Sequence, residues 1–88
     1  MTKDDILEEL TSRKLLDIDT PIILVDGFED AFLGITSGKP INSIYDYWVC
    51  LDLLIKREGL DFDEAIESLD EFIDQDLGEN SPQYLKHV

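Results

Sequence analysis

An Asp-Gly pair, Asp26-Gly27, stands between two apolar runs and restricts the fold more than any other feature of the sequence. Both central residues of a type I′ turn need positive φ, and Asp-Gly is among the pairs that adopt this turn most readily. The runs before and after the pair, 22–25 and 28–36, are rich in residues that favour strands. The sequence therefore predicts a central β-hairpin with these two runs as its strands.

Further helix and strand signals lie on either side of the hairpin. Thr2, followed three residues later by Asp5, resembles a capping box and predicts a first helix over about 3–14. Residues 41–45 form a weaker β-favouring run, which we expect to form a third strand at a sheet edge. A still shorter run, 83–85, predicts a short edge strand near the end of the chain.

A second helix is predicted over 47–58, between an N-cap at Asp46 and Gly59 in the position just beyond the last turn. Apolar residues occupy nearly all of its sides, so we expect this helix to be buried. Its Cys50 is the single cysteine of the chain and cannot form an internal disulfide. Because its surroundings are acidic rather than basic, we interpret Cys50 as a buried structural residue and not as a nucleophile.

A third helix is predicted to begin at Phe62, after a capping signal formed by Asp61 and Glu64. When its residues are projected at about 100° per residue, they divide into two arcs. The apolar arc contains Phe62, Ala65, Ile66, Leu69, Phe72, Ile73 and Leu77. The opposite arc contains six carboxylates, those of Asp63, Glu64, Glu67, Asp70, Glu71 and Asp74.

Together these elements predict one α+β domain over 1–88. We expect a small three-stranded antiparallel sheet packed by three helices, in the order α-β-β-β-α-α, with the C-terminal strand as an addition. No apolar run approaches the ~20 residues that a bilayer requires, so no membrane contact is expected. With one cysteine and no signal-peptide pattern, the expected compartment is the cytoplasm.

Charge determines which partners the chain can attract. The sequence has 21 acidic and 7 basic residues, and its formal net charge is −14. Such a surface repels nucleic acid and anionic membranes, and it attracts basic partners or sites that otherwise hold phosphate. The six carboxylates of the third helix are therefore predicted to bind a basic protein, as a DNA mimic would. The alternative is a solvated helix face that only keeps the protein soluble.

Three aromatic residues, Tyr45, Tyr47 and Trp48, cluster at the start of the second helix. Trp and Tyr dominate the energetics of many protein interfaces, so these residues are predicted to contact a partner. The simpler alternative is that they fill and border the core. An aromatic surface of this kind would suit an adaptor or a homodimer better than charge mimicry.

The sequence contains no pattern typical of a catalytic site, and we predict no catalytic residue, metal ligand or cofactor. The only cluster to weigh is Asp26, Glu29 and Asp30, whose carboxylates would suit Mg²⁺ or Ca²⁺. Their spacing fits no calcium loop, and a turn requires Asp and Gly at this point in any case. The only histidine, His87, lies in the C-terminal tail. We therefore expect a protein that is not an enzyme.

Four separated blocks of the chain resemble a family of short, uncharacterised bacteriophage proteins. The blocks are 25–31 (VDGFEDA), 44–51 (YDY followed by Cys50), 59–65 and 78–82 (GENSP). The resemblance covers about residues 20–85, but the third helix is more acidic than the family pattern. It implies phage origin and a host-cytoplasm setting, and it supplies no catalytic residues. We therefore expect a non-enzymatic phage accessory protein that binds a host protein.

Overall fold

The computed structural model describes residues 2–14, 22–38, 40–75 and 78–87. In these residues the helices are α1 (Lys3–Ser12), α2 (Tyr47–Glu58) and α3 (Phe62–Ile73), and the strands are β1 (Phe32–Ile35), β2 (Ser43–Asp46) and β3 (Gln83–Leu85). The order α-β-β-α-α-β defines a small α+β fold, which confirms the predicted class. The longest of these helices has 12 residues, and none is long and apolar enough to cross a membrane.

The helix ends lie close to where the capping signals predict them. The carboxylate of Asp46 accepts hydrogen bonds from two amides in the first turn of α2. Gly59 ends this helix in the left-handed region, with φ of +64°. α1 and α3 both begin with a capping box, at Thr2 and Asp61 respectively. Leu77, predicted to extend the apolar arc of α3, lies outside the described residues.

The sheet has the strand order β1-β2-β3, so β2 is its central strand. The sequence predicts this strand over 41–45 and at a sheet edge. The strand is present, but the predicted edge position is wrong. β1 pairs with β2 in antiparallel fashion, whereas β3 pairs with β2 in parallel, so the sheet is mixed rather than antiparallel. Parallel neighbours need a long crossover, and the chain from β2 to β3 passes through α2 and α3 on the way.

The predicted hairpin at Asp26-Gly27 is wrong, because residues 22–25 do not form a strand. Gly27 has φ of +91°, but Asp26 does not adopt positive φ, so the turn is not of type I′. After the turn the chain forms a short 3₁₀ helix, Glu29–Ala31, before β1 begins. Strand pairing therefore begins later than the sequence predicts.

Residues 22–25 instead bond to side chains of the central strand. The Ser43 hydroxyl donates to the carbonyl of Ile23 at 2.6 Å, and the amide of Val25 donates to the hydroxyl oxygen of Tyr45 at 2.8 Å. Ser43 and Tyr45 are two residues apart on β2 and so point to the same face of the sheet. The segment therefore lies across that face, and these two backbone groups bond to side chains rather than to a neighbouring strand.

Buried side chains form two clusters. The larger lies between α2, α3 and the sheet and contains Phe28, Ala31, Tyr45, Tyr47, Cys50, Leu51, Leu54, Ala65 and Leu69. The smaller consists of Ile6 and Leu10 of α1, which pack against Ile22, Leu24, Phe32, Ile35 and Ile41. The larger cluster holds α3 against α2 and so determines which side of α3 meets solvent.

Candidate functional site

The orientation of α3 is set by its apolar side. Ala65 and Leu69 are fully buried, and the ring of Phe72 packs edge-on against Phe28 with 5.6 Å between ring centroids. Toward the end of the helix Phe72 and Ile73 keep 40% and 38% of their surface exposed. The opposite side of the helix therefore points outward along its whole length.

That outward side carries all six predicted carboxylates, which we call the acidic face. Its members, all exposed, are Asp63, Glu64, Glu67, Asp70, Glu71 and Asp74. Within the part of the chain that the structure describes, no ion pair joins any of them to a basic side chain. The negative field of the acidic face is thus not neutralised by these residues.

Most of the basic side chains in the described ranges contact other groups. Their contacts are Lys3 with Asp26 (2.7 Å), Arg13 with Glu9 (2.7 Å), Lys56 with Asp52 (2.8 Å), Arg57 with the carbonyl of Gly27, and Lys86 with the ring of Tyr47 (4.6 Å to the centroid). These contacts lie on α1, on α2, at the turn after residue 25 and on the C-terminal tail. None of these contacts is with a side chain of α3.

The acidic face carries charge at about the mean axial density of a nucleic acid strand. Eleven residue steps separate Asp63 from Asp74, which is a rise of about 16.5 Å at ~1.5 Å per residue. Six charges over that rise average one per about 3.3 Å of helix axis, with individual steps of about 1.5 or 4.5 Å. One DNA strand carries one charge per about 3.4 Å of axis. The acidic face therefore matches the axial charge density of a single strand, not that of a duplex.

This arrangement of charge does not favour the helix itself. Asp63 and Glu64 lie in the first turn, where the helix dipole favours negative charge. Glu71 and Asp74 lie at the other end, where the dipole disfavours it, and the last turn contains no basic residue. Like charges three or four residues apart add a few tenths of a kcal/mol of repulsion per pair. Helix stability alone does not account for the acidic face.

The three aromatic residues predicted to contact a partner do not form one surface. Tyr45 and Tyr47 are 0% and 3% exposed, because the first points inward from the central strand and the second lies on the buried side of α2. Burial also raises the pKa of the Tyr45 hydroxyl. Trp48 is 44% exposed, and its indole N–H donates to the carbonyl of His87 at 3.0 Å. Of the three residues, only Trp48 is accessible to a partner.

The carboxylates at Asp26, Glu29 and Asp30 do not form a metal-binding arrangement. Among the residues that can be described, no group of three or more His, Cys, Asp or Glu side chains is placed to hold a metal ion. Asp26 pairs with Lys3 instead. The turn is fastened to the end of α2, because the guanidinium of Arg57 donates to the carbonyl of Gly27.

Cys50 is buried in the larger cluster, as the sequence predicts. Burial, with the negative charge of Asp46 as a further cause, raises the pKa of its thiol to about 12. The thiol is therefore protonated at neutral pH, and its reactivity as a nucleophile is low. Its contribution is to packing.

An apolar cleft of about 190 Å³ opens beside the end of α3. Its lining residues are Ile23, Leu24, Val25, Phe72, Ile73, Gln75, Pro82 and Tyr84. They come from three segments that are distant in sequence, so sequence reasoning missed the cleft. The only signal in the sequence was the apolar pair Phe72-Ile73 next to acidic residues. We call this feature the apolar cleft.

Comparisons of the chain with protein-family models, with curated proteins and with solved structures find no match. The function is therefore argued from the chemistry of the acidic face and the apolar cleft.

Proposed function

We propose that this protein is a non-enzymatic phage accessory protein that binds a basic surface of a host protein in the host cytoplasm. The acidic face of α3 would take the place of a nucleic acid backbone on a DNA- or RNA-handling or defence protein. The observation that carries the proposal is the row of six exposed carboxylates on one helix, which form no ion pair with a basic side chain of the described residues and have the mean axial charge density of one strand. The resemblance to short phage proteins is the reason to look for a host partner.

Electrostatics explains how such a face would bind. A groove that normally holds phosphates presents Lys and Arg side chains at the spacing of the nucleic acid charges. Carboxylates at a similar spacing form ion pairs with several of them at once, and the net charge of −14 speeds the encounter. Because exposed charges are screened beyond about 8–10 Å at physiological salt, binding should weaken steeply as salt is raised.

A salt-graded capture experiment tests this proposal. The immobilised protein is exposed to host lysate at low and at high salt, and the captured proteins are identified by mass spectrometry. We expect a basic or nucleic-acid-binding protein that is retained at low salt, lost at high salt, and displaced by DNA or RNA. The proposal is wrong if no such protein is captured, or if capture does not depend on salt.

Two matched variants then separate position from total charge. Glu67→Gln, Asp70→Asn and Glu71→Gln remove three charges from the acidic face. Asp4→Asn, Glu8→Gln and Glu58→Gln remove three exposed charges elsewhere. We expect the first variant to bind the captured partner at least about tenfold more weakly and the second to lose no more than about threefold. Equal losses would assign the effect to net charge rather than to the face.

A second candidate function is an adaptor or homodimer that uses an apolar surface. Its support is β1, which pairs on one side only in the described sheet and exposes 52% of Leu33. A free strand edge with an exposed leucine is able to receive another strand. The net charge of −14 opposes self-association at low salt. Light scattering after size exclusion measures the oligomeric state. A dimer at low and high salt supports this function, and a monomer at high concentration contradicts the homodimer.

A further inference from the structure

We infer that the apolar cleft receives one large apolar side chain of the basic partner. The ligand class is then a Lys- or Arg-rich protein segment with a single aromatic or leucine-like anchor. This inference rests on the proposed function and adds a specificity element to it.

The size and lining of the apolar cleft fit one such side chain. Its volume of about 190 Å³ exceeds the roughly 150 Å³ of an engineered protein cavity that binds benzene. Ile23 and Val25 line it from one segment, Phe72 and Ile73 from α3, and Pro82 from the segment before β3. Gln75 is exposed and is the one amide side chain among the described lining residues. A buried ring or leucine would therefore meet mostly apolar atoms.

Charge complementarity identifies the kind of chain that brings this anchor. None of the described residues that line the apolar cleft is charged, and Asp70 lies on α3 next to the lining residue Ile73. Asp70 lies three residues before Ile73, which places their Cβ atoms ~5–6 Å apart on the helix surface. Glu71 and Asp74 are the sequence neighbours of Phe72 and Ile73, but their side chains point about 100° further round the helix, toward the acidic face. A segment that places its anchor in the cleft therefore lies next to Asp70, and it meets the rest of the acidic face where it continues around α3.

Other occupants satisfy only part of this arrangement. A second copy of the chain would bring a net charge of −14 against a surface of the same sign. A neutral apolar ligand would use the cleft but leave the acidic face unpaired. A basic segment with one apolar anchor uses both, and its two contributions respond differently to salt. Burial of the anchor is nearly independent of salt, whereas the ion pairs weaken with it.

Two synthetic peptides provide the test. Both are rich in lysine and otherwise composed of Gly and Ser, and they differ only at one central residue, Phe or Ala. Titration calorimetry and NMR of the isotope-labelled full chain measure their binding. We expect the Phe peptide to bind about five- to tenfold more tightly than the Ala peptide. Amide resonances of Ile23, Val25 and Tyr84 should shift with the Phe peptide but not with the Ala peptide.

Variants of the protein locate the anchor. Ile73→Gln should reduce the preference for the Phe peptide to less than about twofold and leave the salt dependence unchanged. Leu33→Gln is the matched control, because Leu33 is also an exposed apolar residue but does not line the apolar cleft. The variant that carries Glu67→Gln, Asp70→Asn and Glu71→Gln, which we call the three-amide variant, should weaken the binding of both peptides to the same extent. It should keep the preference for the Phe peptide. Thermal unfolding by circular dichroism establishes that each variant is folded.

The outcomes separate this inference from the proposed function. Equal affinities for the two peptides, or a preference for Phe that survives Ile73→Gln, would overturn the inference. The proposed function would still stand in that case, provided that binding of the lysine-rich peptides weakens with salt and with the three-amide variant. If neither peptide binds at low salt, both the proposed function and the inference are wrong.

Discussion

α2 and α3 are both 12 residues long and both begin after an aspartate N-cap, yet their surfaces differ sharply. α2 buries Tyr47, Cys50, Leu51 and Leu54, whereas α3 buries only Ala65 and Leu69. The last turn of α2 contains Lys56 and Arg57, where the helix dipole favours positive charge. The last turn of α3 contains no basic residue. Two helices of equal length thus differ in how many side chains they bury and in the charge of their last turn.

The residues of α2 favour a stable helix on all sides, whereas those of α3 do so only at its N-cap and along its apolar side. α2 is capped, buried and charged as a stable helix should be. α3 follows the same rules at its N-cap and along its apolar side, but its outer side repeats like charges and places negative charge at its C-terminal end. This is the pattern expected if the outer side serves binding, and it supports the proposed function.

The largest expected effect is that of truncating a core side chain. Truncation in α2 and in α3 should destabilise the protein to the same extent. Leu51→Ala in α2 and Leu69→Ala in α3 should each lower the free energy of unfolding by about 2–5 kcal/mol, since both side chains are buried. Phe62→Ala is the control on α3, because Phe62 is 57% exposed, and it should change stability by less than about 0.5 kcal/mol. Urea unfolding measures all three. A loss below about 1 kcal/mol for Leu69→Ala would mean that α3 does not share the core of α2.

Alkaline pH should lower the free energy of unfolding through α2, because this helix buries the ionisable thiol of Cys50 and α3 buries no such group. The pKa of Cys50 is raised from 9.0 to about 12 in the folded state, so the unfolded chain loses this proton first as pH rises. The stabilisation is complete below pH 9 and is lost progressively up to about pH 12. Its maximum slope is about 1.4 kcal/mol per pH unit.

Cys50→Ala checks this dependence. Between pH 9 and 11 its free energy of unfolding should fall less steeply than that of the parent, measured with reductant present. Tyr84, whose pKa burial also raises to about 12, stays in both proteins; Cys50 is a smaller cause of that raised pKa, so the variant keeps the part that burial makes. Parallel curves for the two proteins would show that the thiol is not desolvated.

Charge changes at the two ends of α3 should have small effects of opposite sign. Glu71→Gln with Asp74→Asn should stabilise the protein by a few tenths of a kcal/mol at low salt, because the helix dipole disfavours negative charge there. Asp63→Asn in the first turn should destabilise it by a similar amount. Both effects should shrink in 1 M salt, where screening acts within about 3 Å. Thermal melts at both salt concentrations measure them.

The same pair of substitutions at Glu71 and Asp74 should weaken binding to the captured partner. Stability and binding would then change in opposite directions at one end of α3. If the pair lowered stability, or left partner binding as it was, the contrast drawn between the two helices would be wrong.

Local sequence was enough to predict the helices. Their starts at Thr2, Asp46 and Asp61 and the end of α2 at Gly59 depend on residues within a turn of each other. The exposure of the six carboxylates follows from helical periodicity, and so does the burial of Ala65 and Leu69. The burial of Cys50 follows from the apolar composition of α2.

Only the tertiary structure decided what the β-favouring runs would pair with. The run at 22–25 was as apolar as a strand, but Ser43 and Tyr45 offer it side-chain hydrogen bonds across the sheet, and the parallel strand β3 takes the free side of β2. The same contacts bury Tyr45 and create the apolar cleft. A strand needs a partner from elsewhere in the chain, whereas a helix satisfies its own backbone, so sequence alone determined the helices and the acidic face but not the sheet.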